Sequence, residues 1–331
     1  TLIKSISGIR GVIYDNDSEG LSTIEITNCV KQFVMWINKK EPSTNKIVAL
    51  GRDGRVSGAR ICELIKSILI SHGLNVLDLA LTTTPSVQLA IISEQCVAGI
   101  MVSASHNPIS WNGLKFLNKS GEFLSKKNAL EVFNFEIDAQ TKSIKQGGVV
   151  EIDYKEKHIQ CVLDLIDVDV HRISLKGFRV VVDGINSSGG VYVPYLLKQL
   201  GVEVIEINCD PDGKFAHNPE PLPNNLSQLA NTVKDNQADF GIAVDPDVDR
   251  LVLVCEDGSF FGEENTIVII AKYILQNYPG NSVVSNLSTT RAVQDIAKDY
   301  NAQHFESPVG ESNVVDLMKQ KKSIIGGEGS G

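Results

Sequence analysis

Apolar and polar positions recur along this chain in one order. A short β-branched run leads into a polar loop rich in Gly, Ser, Asp or Thr, then a stretch with apolar residues at i, i+3, i+4 and i+7, then a second short apolar run. The first copy has Ile47 to Leu50, the loop Gly51 to Gly58, a helical stripe of Ile61, Leu64, Ile65, Ile68 and Leu69, and Val76 to Leu79. The second has Val180 to Val182, the loop Asp183 to Gly190, a stripe of Val193, Leu196, Leu197 and Leu200, and Val204 to Ile207. The third has Val283-Val284, the loop Ser285 to Thr290, a stripe of Val293, Ile296, Ala297 and Tyr300, and Gln303 to Phe305. Such stripes pack one helix face against a sheet, so the repeat predicts an α/β chain that uses a βαβ unit three times, once per domain. Boundaries are expected at Gly147-Gly148 and Glu256-Asp257-Gly258, giving domains over 1–149, 150–257 and 258–331. The third unit stops at Gly331 directly after a Gly-rich loop, and is expected to be incomplete.

Length and composition narrow the function. The chain has 331 residues, ample for two or three domains. A net charge of -9 argues against nucleic acid, whose binders need a basic stripe to displace counterions. The run Lys319 to Lys322 reads as a solvated helix end. Six cysteines without a Cys-x-x-Cys pair argue against a zinc site or a disulfide framework. With no signal-peptide core and no membrane-length apolar stretch, the expected setting is the cytoplasm, with no membrane partner.

Two loops carry the chemistry. In Ser103-Ala104-Ser105-His106-Asn107-Pro108, the apolar run Val97 to Val102 predicts a buried strand that delivers Ser105 to a loop at its end. Asn107-Pro108 keeps that loop out of a helix, and His106 is placed to orient the serine or bind phosphate. About 140 residues later, Asp245-Pro246-Asp247-Val248-Asp249-Arg250 places carboxylates at i, i+2 and i+4, able to converge on one cation. The pattern also opens a calcium EF-hand loop, but Arg250 stands where that loop needs Gly, and the flanks read as strands. Arg250 is suited to holding a phosphoryl group in a bidentate fork.

Other candidates are weaker. Arg10 lies in the glycine-flanked turn Ser7-Gly8-Ile9-Arg10-Gly11. Arg52 and Arg55, at a strand end before a helix start, fit an anion site or an ion pair with Asp53 equally well. Lys115 alternates with apolar neighbours on a strand just past the serine loop. Gly326 to Gly331 offers Glu328 and Ser330 on a flexible backbone, suited to a sugar diol. A phosphatase would use much of the same apparatus and would release phosphate instead of moving it.

Taken in order, Gly8 to Gly11, Gly51 to Gly58, Ser103 to Pro108, Asp245 to Arg250 and Gly327 to Gly331 resemble the α-D-phosphohexomutase family over the whole chain. That family comprises the phosphoglucomutases, phosphomannomutases and phosphoglucosamine mutases. The resemblance implies repeated three-layer α/β/α domains with mixed, mainly parallel sheets, the third domain incomplete. It implies a phosphoserine at Ser105 and Mg²⁺ held by Asp245, Asp247, Asp249 and an oxygen on Ser105. Arg10, His106, Lys115 and Arg250 would surround the phosphoryl group or shuttle protons, and Gly327, Glu328 and Ser330 would bind sugar. The implied substrate is a hexose or hexosamine phosphate, isomerised through a hexose 1,6-bisphosphate by a monomer or homodimer.

Three departures stand out. Members continue into a fourth domain that clamps the distal phosphate. The sugar loop, Gly327-Glu328-Gly329-Ser330-Gly331, lacks the middle Gln or Met and the final His typical of bacterial members and looks more like a divergent phosphoglucosamine mutase branch, and Pro246 and Val248 occupy positions where Gly is common.

Overall fold

The computed structural model of the chain describes residues 2–5, 8–13, 20–43, 46–137 and 146–329. These form two compact units, Thr1–Glu220 with Val244–Asp249, and Pro221–Ala243 with Arg250–Gly331.

The first unit is built on seven strands: β1 (Leu2–Ser5), β2 (Gly8–Val12), β3 (Ile47–Arg52), β4 (Asn75–Leu81), β5 (Ala98–Val102), β6 (Trp111–Asn118) and β7 (Val149–Glu151). They lie in the order β1-β2-β6-β5-β3-β4-β7. Pairing is parallel between β5, β3, β4 and β7 and antiparallel between β1, β2, β6 and β5. Side chains alternate across the sheet because its period is two. Val48, Leu50, Ile100, Val102, Leu114 and Phe116 face one core with helices α1 (Thr23–Lys40) and α2 (Gly58–Ser71). Ala49, Met101 and Leu117 face another with α3 (Thr84–Ser93). The result is three layers. Alternation also decides where Lys115 goes: between Leu114 and Phe116, it points to the opposite face, across from Met101.

Turn chemistry follows the sequence closely. Ser22 and Thr83 cap α1 and α3 by accepting from the backbone N–H groups of Glu25 and Ser86. Gly8 has φ +112°, and a Cβ there would lie 1.9 Å from the Leu114 carbonyl oxygen, so only glycine lets β2 approach β6 beside Arg10. Beyond α4 (Lys126–Phe133), the unit continues through α5 (Lys155–Leu163), α6 (Val170–Ser174), β8 (Arg179–Asp183), α7 (Gly189–Gln199) and β9 (Glu203–Ile207). Strands β8 and β9 pair in parallel, as the second repeat requires.

The second unit contains α8 (Ser227–Asp235), β10 (Phe240–Val244) except its last residue, β11 (Leu251–Cys255) and α9 (Glu263–Asn277), followed by β12 (Ser282–Asn286), α10 (Ala292–Asp299), β13 (Gln303–Ser307), α11 (Glu311–Lys321) and β14 (Ile325–Gly327). Strand β12 lies between β13 and β14, parallel to both. Strand β14 starts at Ile325 and takes in Gly326 and Gly327. Ile325 pairs with Val283, and a Cβ on Gly326 would meet the Met318 sulfur at 2.5 Å, so a side chain is excluded from the strand centre. Among the described residues, no helix is long and apolar enough to cross a membrane. The six cysteines are free thiols.

Ile65 is fully buried on α2, so Ile65→Ala is expected to cost about 2–5 kcal/mol through lost burial and a cavity. Ile92→Ala, at a site 58% exposed on α3, should stay within about 0.5 kcal/mol. Denaturant midpoints measured side by side check both.

Candidate active site

Strand β5 ends at Val102, and the chain turns sharply into the serine loop. Ser105 adopts φ 49°, a left-handed conformation that costs a non-glycine residue about 1–2 kcal/mol and needs support from its surroundings. Its N–H donates to Ser103 Oγ at 2.8 Å. Its hydroxyl is buried and donates to Asp245 Oδ2 at 2.6 Å, bridging two segments 140 residues apart. His106 Nδ1 lies 3.4 Å from the same hydroxyl, and its Nε2 lies 3.3 Å from Glu220 Oε2. Arg10 Nη1 donates to Asn107 Oδ1 at 3.1 Å, tying the glycine-flanked turn to the same loop.

The acidic loop leaves β10 at Val244 and folds back on itself. Val248 sits at φ 62°, which explains why glycine suits that position, and the Asp249 N–H donates to Asp245 Oδ1 at 3.1 Å. Ligand oxygens of Asp245, Asp247 and Asp249 lie within 4.8 Å of one another. Asp245 and Asp247 are fully buried. One ammonium answers the three carboxyls: Lys115 Nζ lies 2.6 Å from both Asp247 Oδ2 and Asp249 Oδ2. Thr84, on α3, donates its hydroxyl to Asp247 and its N–H to the Asp247 carbonyl at 2.9 Å.

Protonation follows from this arrangement. Burial, then the charges of Asp249 and Asp247, push Asp245 well above the usual carboxylate range, against the opposing pull of Lys115 and the Ser105 hydroxyl. Burial also works against ionised Asp247, but the Lys115 ammonium and the Thr84 hydroxyl outweigh it and hold this carboxyl below its ordinary value. Burial disfavours the Lys115 charge, yet the three carboxylates more than compensate and raise its pKa. Asp247 Oδ1 is buried and lacks a hydrogen-bond partner among the described residues. Hard oxygens converging at this separation, one of them with an unspent lone pair, could hold a divalent cation.

The structure therefore brings Ser105, His106, Lys115, Asp245, Asp247 and Asp249 together, with Arg10 one hydrogen bond away. Arg250, Gly327 and Glu328 belong to the second unit. There Glu328 Oε1 accepts from Asn286 Nδ2 at 2.5 Å and from the Gly310 N–H at 2.6 Å, which fixes the carboxylate. Ser330 lies outside the described residues. Of the two readings of Arg55, the ion pair holds: it is buried against Asp53, at 3.1 Å. Thr84 and Glu220 join the constellation without any local sequence signal, since each acts on a partner more than 100 residues away.

These α/β/α layers hold a left-handed loop serine against a compact cluster of three carboxyl groups that could hold a metal ion. Comparison with known proteins is specific. The models of the phosphoglucomutase/phosphomannomutase α/β/α domains I, II and III match residues 2–143, 156–258 and 263–331, and the chain belongs to this family. It is 34% identical over 297 residues to a phosphoglucomutase/phosphomannomutase of Thermococcus kodakarensis, covering 88% of this chain and 65% of that protein. It is 32% identical over 288 residues to a Methanopyrus kandleri protein named "Probable phosphoglucosamine mutase", covering 86% and 63%. The chain thus spans less than two thirds of these relatives. The fold matches a phosphoglucomutase/phosphomannomutase family protein from Burkholderia thailandensis with a TM-score of 0.83, at 24% identity over 98% of this chain and 70% of that one.

Val248→Gly should relieve the left-handed strain and raise stability by up to about 1 kcal/mol, the gain being partly offset by the greater unfolded-state entropy of glycine. Thermal unfolding of the two proteins checks it. A lower melting temperature for the glycine variant would show that Val248 packing outweighs its backbone.

Proposed function

We propose that the chain forms the phosphoryl-transfer part of a phosphohexomutase, which interconverts hexose 1-phosphate and 6-phosphate. The observation that carries this reading is the buried Ser105 hydroxyl, 2.6 Å from Asp245 inside the carboxylate cluster. In the proposed cycle a phosphoryl group on Ser105 passes to the free hydroxyl of a hexose phosphate. The resulting bisphosphate turns over, and its other phosphate returns to the serine oxygen. A magnesium ion held by Asp245, Asp247, Asp249 and a phosphoryl oxygen would supply positive charge against the charge that develops in transfer.

The protein's own groups have separable tasks. Lys115, Arg10 and Arg250 are assigned to the phosphoryl oxygens, as fixed cations that need no reorganisation during transfer. His106, oriented by Glu220, is assigned to hold or pass a proton at the reacting hydroxyl. Gly327, Glu328 and Ser330 are assigned to sugar hydroxyls. Domain limits at 149 and 257 are proposed to separate these tasks along the chain. Among the sugars, we favour glucosamine phosphate on the form of the loop Gly327 to Gly331, with glucose and mannose phosphates as the alternative; a coupled assay on all three decides it.

Tandem mass spectrometry of active full-length protein is expected to find the phosphoryl group on Ser105, and Ser105→Ala should abolish turnover. Retained turnover in Ser105→Ala would exclude the cycle. Asp247→Asn, which removes one ligand charge, should weaken Mg²⁺ binding in a calorimetric titration and cost most of the activity. Unchanged Mg²⁺ affinity in that variant would remove Asp247 from the ligand set.

A further inference from the structure

Arg55 lies at the head of the first repeat's loop, and every hydrogen-bond donor it has is spent inside the protein. A guanidinium carries five N–H groups in a fixed planar fork. Nη2 donates to the carbonyls of Ser105 at 2.6 Å and Asn107 at 2.7 Å. Nη1 donates to those of Pro108 at 2.7 Å and Trp111 at 3.0 Å. The fifth donor, Nε, pairs with Asp53 Oδ2 at 3.1 Å. Asp53 is fixed in turn by the Ser103 hydroxyl at 2.7 Å, and Ser103 accepts the Ser105 N–H. The Phe215 ring covers the guanidinium, its centroid 4.9 Å from Cζ. No solvent reaches the Arg55 side chain, whose accessible surface is 0%.

We infer that Arg55 is a positioning residue for phosphoryl transfer, acting as a five-point clamp that holds the serine loop in the strained geometry presenting Ser105 to Asp245. This inference rests on Ser105 being the phosphoryl carrier. The physical case lies in the backbone. A left-handed serine relaxes to negative φ unless its neighbours are pinned, and the clamp pins the carbonyls of Ser105 itself and of three residues that follow. Relaxation would carry Oγ away from the carboxylate cluster, where small misplacements are expensive in rate. Arg55 has no donor left for phosphate, so its effect passes through the loop and not through the substrate.

The test uses the full-length protein as wild type, Arg55→Lys, Ser103→Ala and Ile65→Ala. Lysine keeps the charge beside Asp53 but cannot reproduce the planar fork. Each protein is first dephosphorylated with a phosphatase, the loss being checked by mass; glucose 1,6-bisphosphate is then added, and rapid-quench mass spectrometry follows the gain of one phosphoryl group on Ser105. Arg55→Lys is expected to slow that gain about 100-fold. Its KM for the hexose phosphate that the wild type uses best should change by less than about threefold, because substrate contacts remain. Ser103→Ala, which removes one bond of the frame, should slow it about tenfold. Ile65→Ala destabilises the same unit from its core and should leave the phosphorylation rate unchanged. Failure of the wild type to take phosphate on Ser105 would sink the functional reading itself. A phosphorylated wild type with an equally fast Arg55→Lys would overturn the clamp alone. If Arg55→Lys does not fold, an unaffected rate in Ser103→Ala overturns it, and a slowed rate there supports it.

Discussion

Buried negative charge is the constraint around which the first unit is organised. Asp245 and Asp247 have no access to water, and burying a carboxylate without partners costs several kcal/mol. Each neighbour in the site supplies part of the compensation. Lys115 bridges two carboxylates, the Thr84 hydroxyl donates to the Asp247 carboxylate, and the Ser105 hydroxyl donates to Asp245. These donors arrive from β6, from the start of α3 and from the end of β5, so the sheet and its cap determine whether the charge cluster can exist. The same requirement explains a lysine in the middle of an otherwise apolar strand: alternation turns it toward the carboxylates, where it is nearly dehydrated but paired.

Much of this was legible in the sequence because it is local. Strand and helix stripes have periods of 2 and 3.6, and the three repeats appear as β3-α2-β4, β8-α7-β9 and β12-α10-β13. The acidic loop was visible because its carboxylates are two residues apart, and Ser105 because a buried run ends just before it. Their meeting across 140 residues was not visible from periodicity; family resemblance suggested it. Thr84 and Glu220 were not legible at all. One looks like an ordinary helix-start threonine before a proline and the other like a surface acid in a polar loop.

Arg55 shows the same limit more sharply. Its neighbours in sequence made an anion site and an ion pair equally good readings, since a strand end before a helix start suits either. What decides between them is the set of carbonyls from 50 to 56 residues away that surround the fork. Backbone acceptors carry no residue-specific signature, so no inspection of side chains along the chain could reveal them. At Val248 the difficulty is reversed. The local rule favours glycine, and the chain places a β-branched residue at φ 62°, paying strain for a stiffer loop.

The hydrogen bonds of the serine also bear on how charge must be handled during the proposed cycle. As a free hydroxyl, Ser105 satisfies Asp245 with its own proton. Phosphorylation removes that proton and adds a charge of about −1.5 to −2 beside a cluster of three carboxyl groups. The phosphorylated loop therefore cannot keep the hydrogen-bond pattern seen here. It needs additional positive charge at Asp245 and a backbone rigid enough not to swing the phosphoryl group away from the carboxylates it repels. A divalent cation held by Asp245, Asp247 and Asp249, as proposed above, would meet the first need. The second falls on the frame behind the loop, where Arg55 holds the carbonyls of Ser105, Asn107, Pro108 and Trp111.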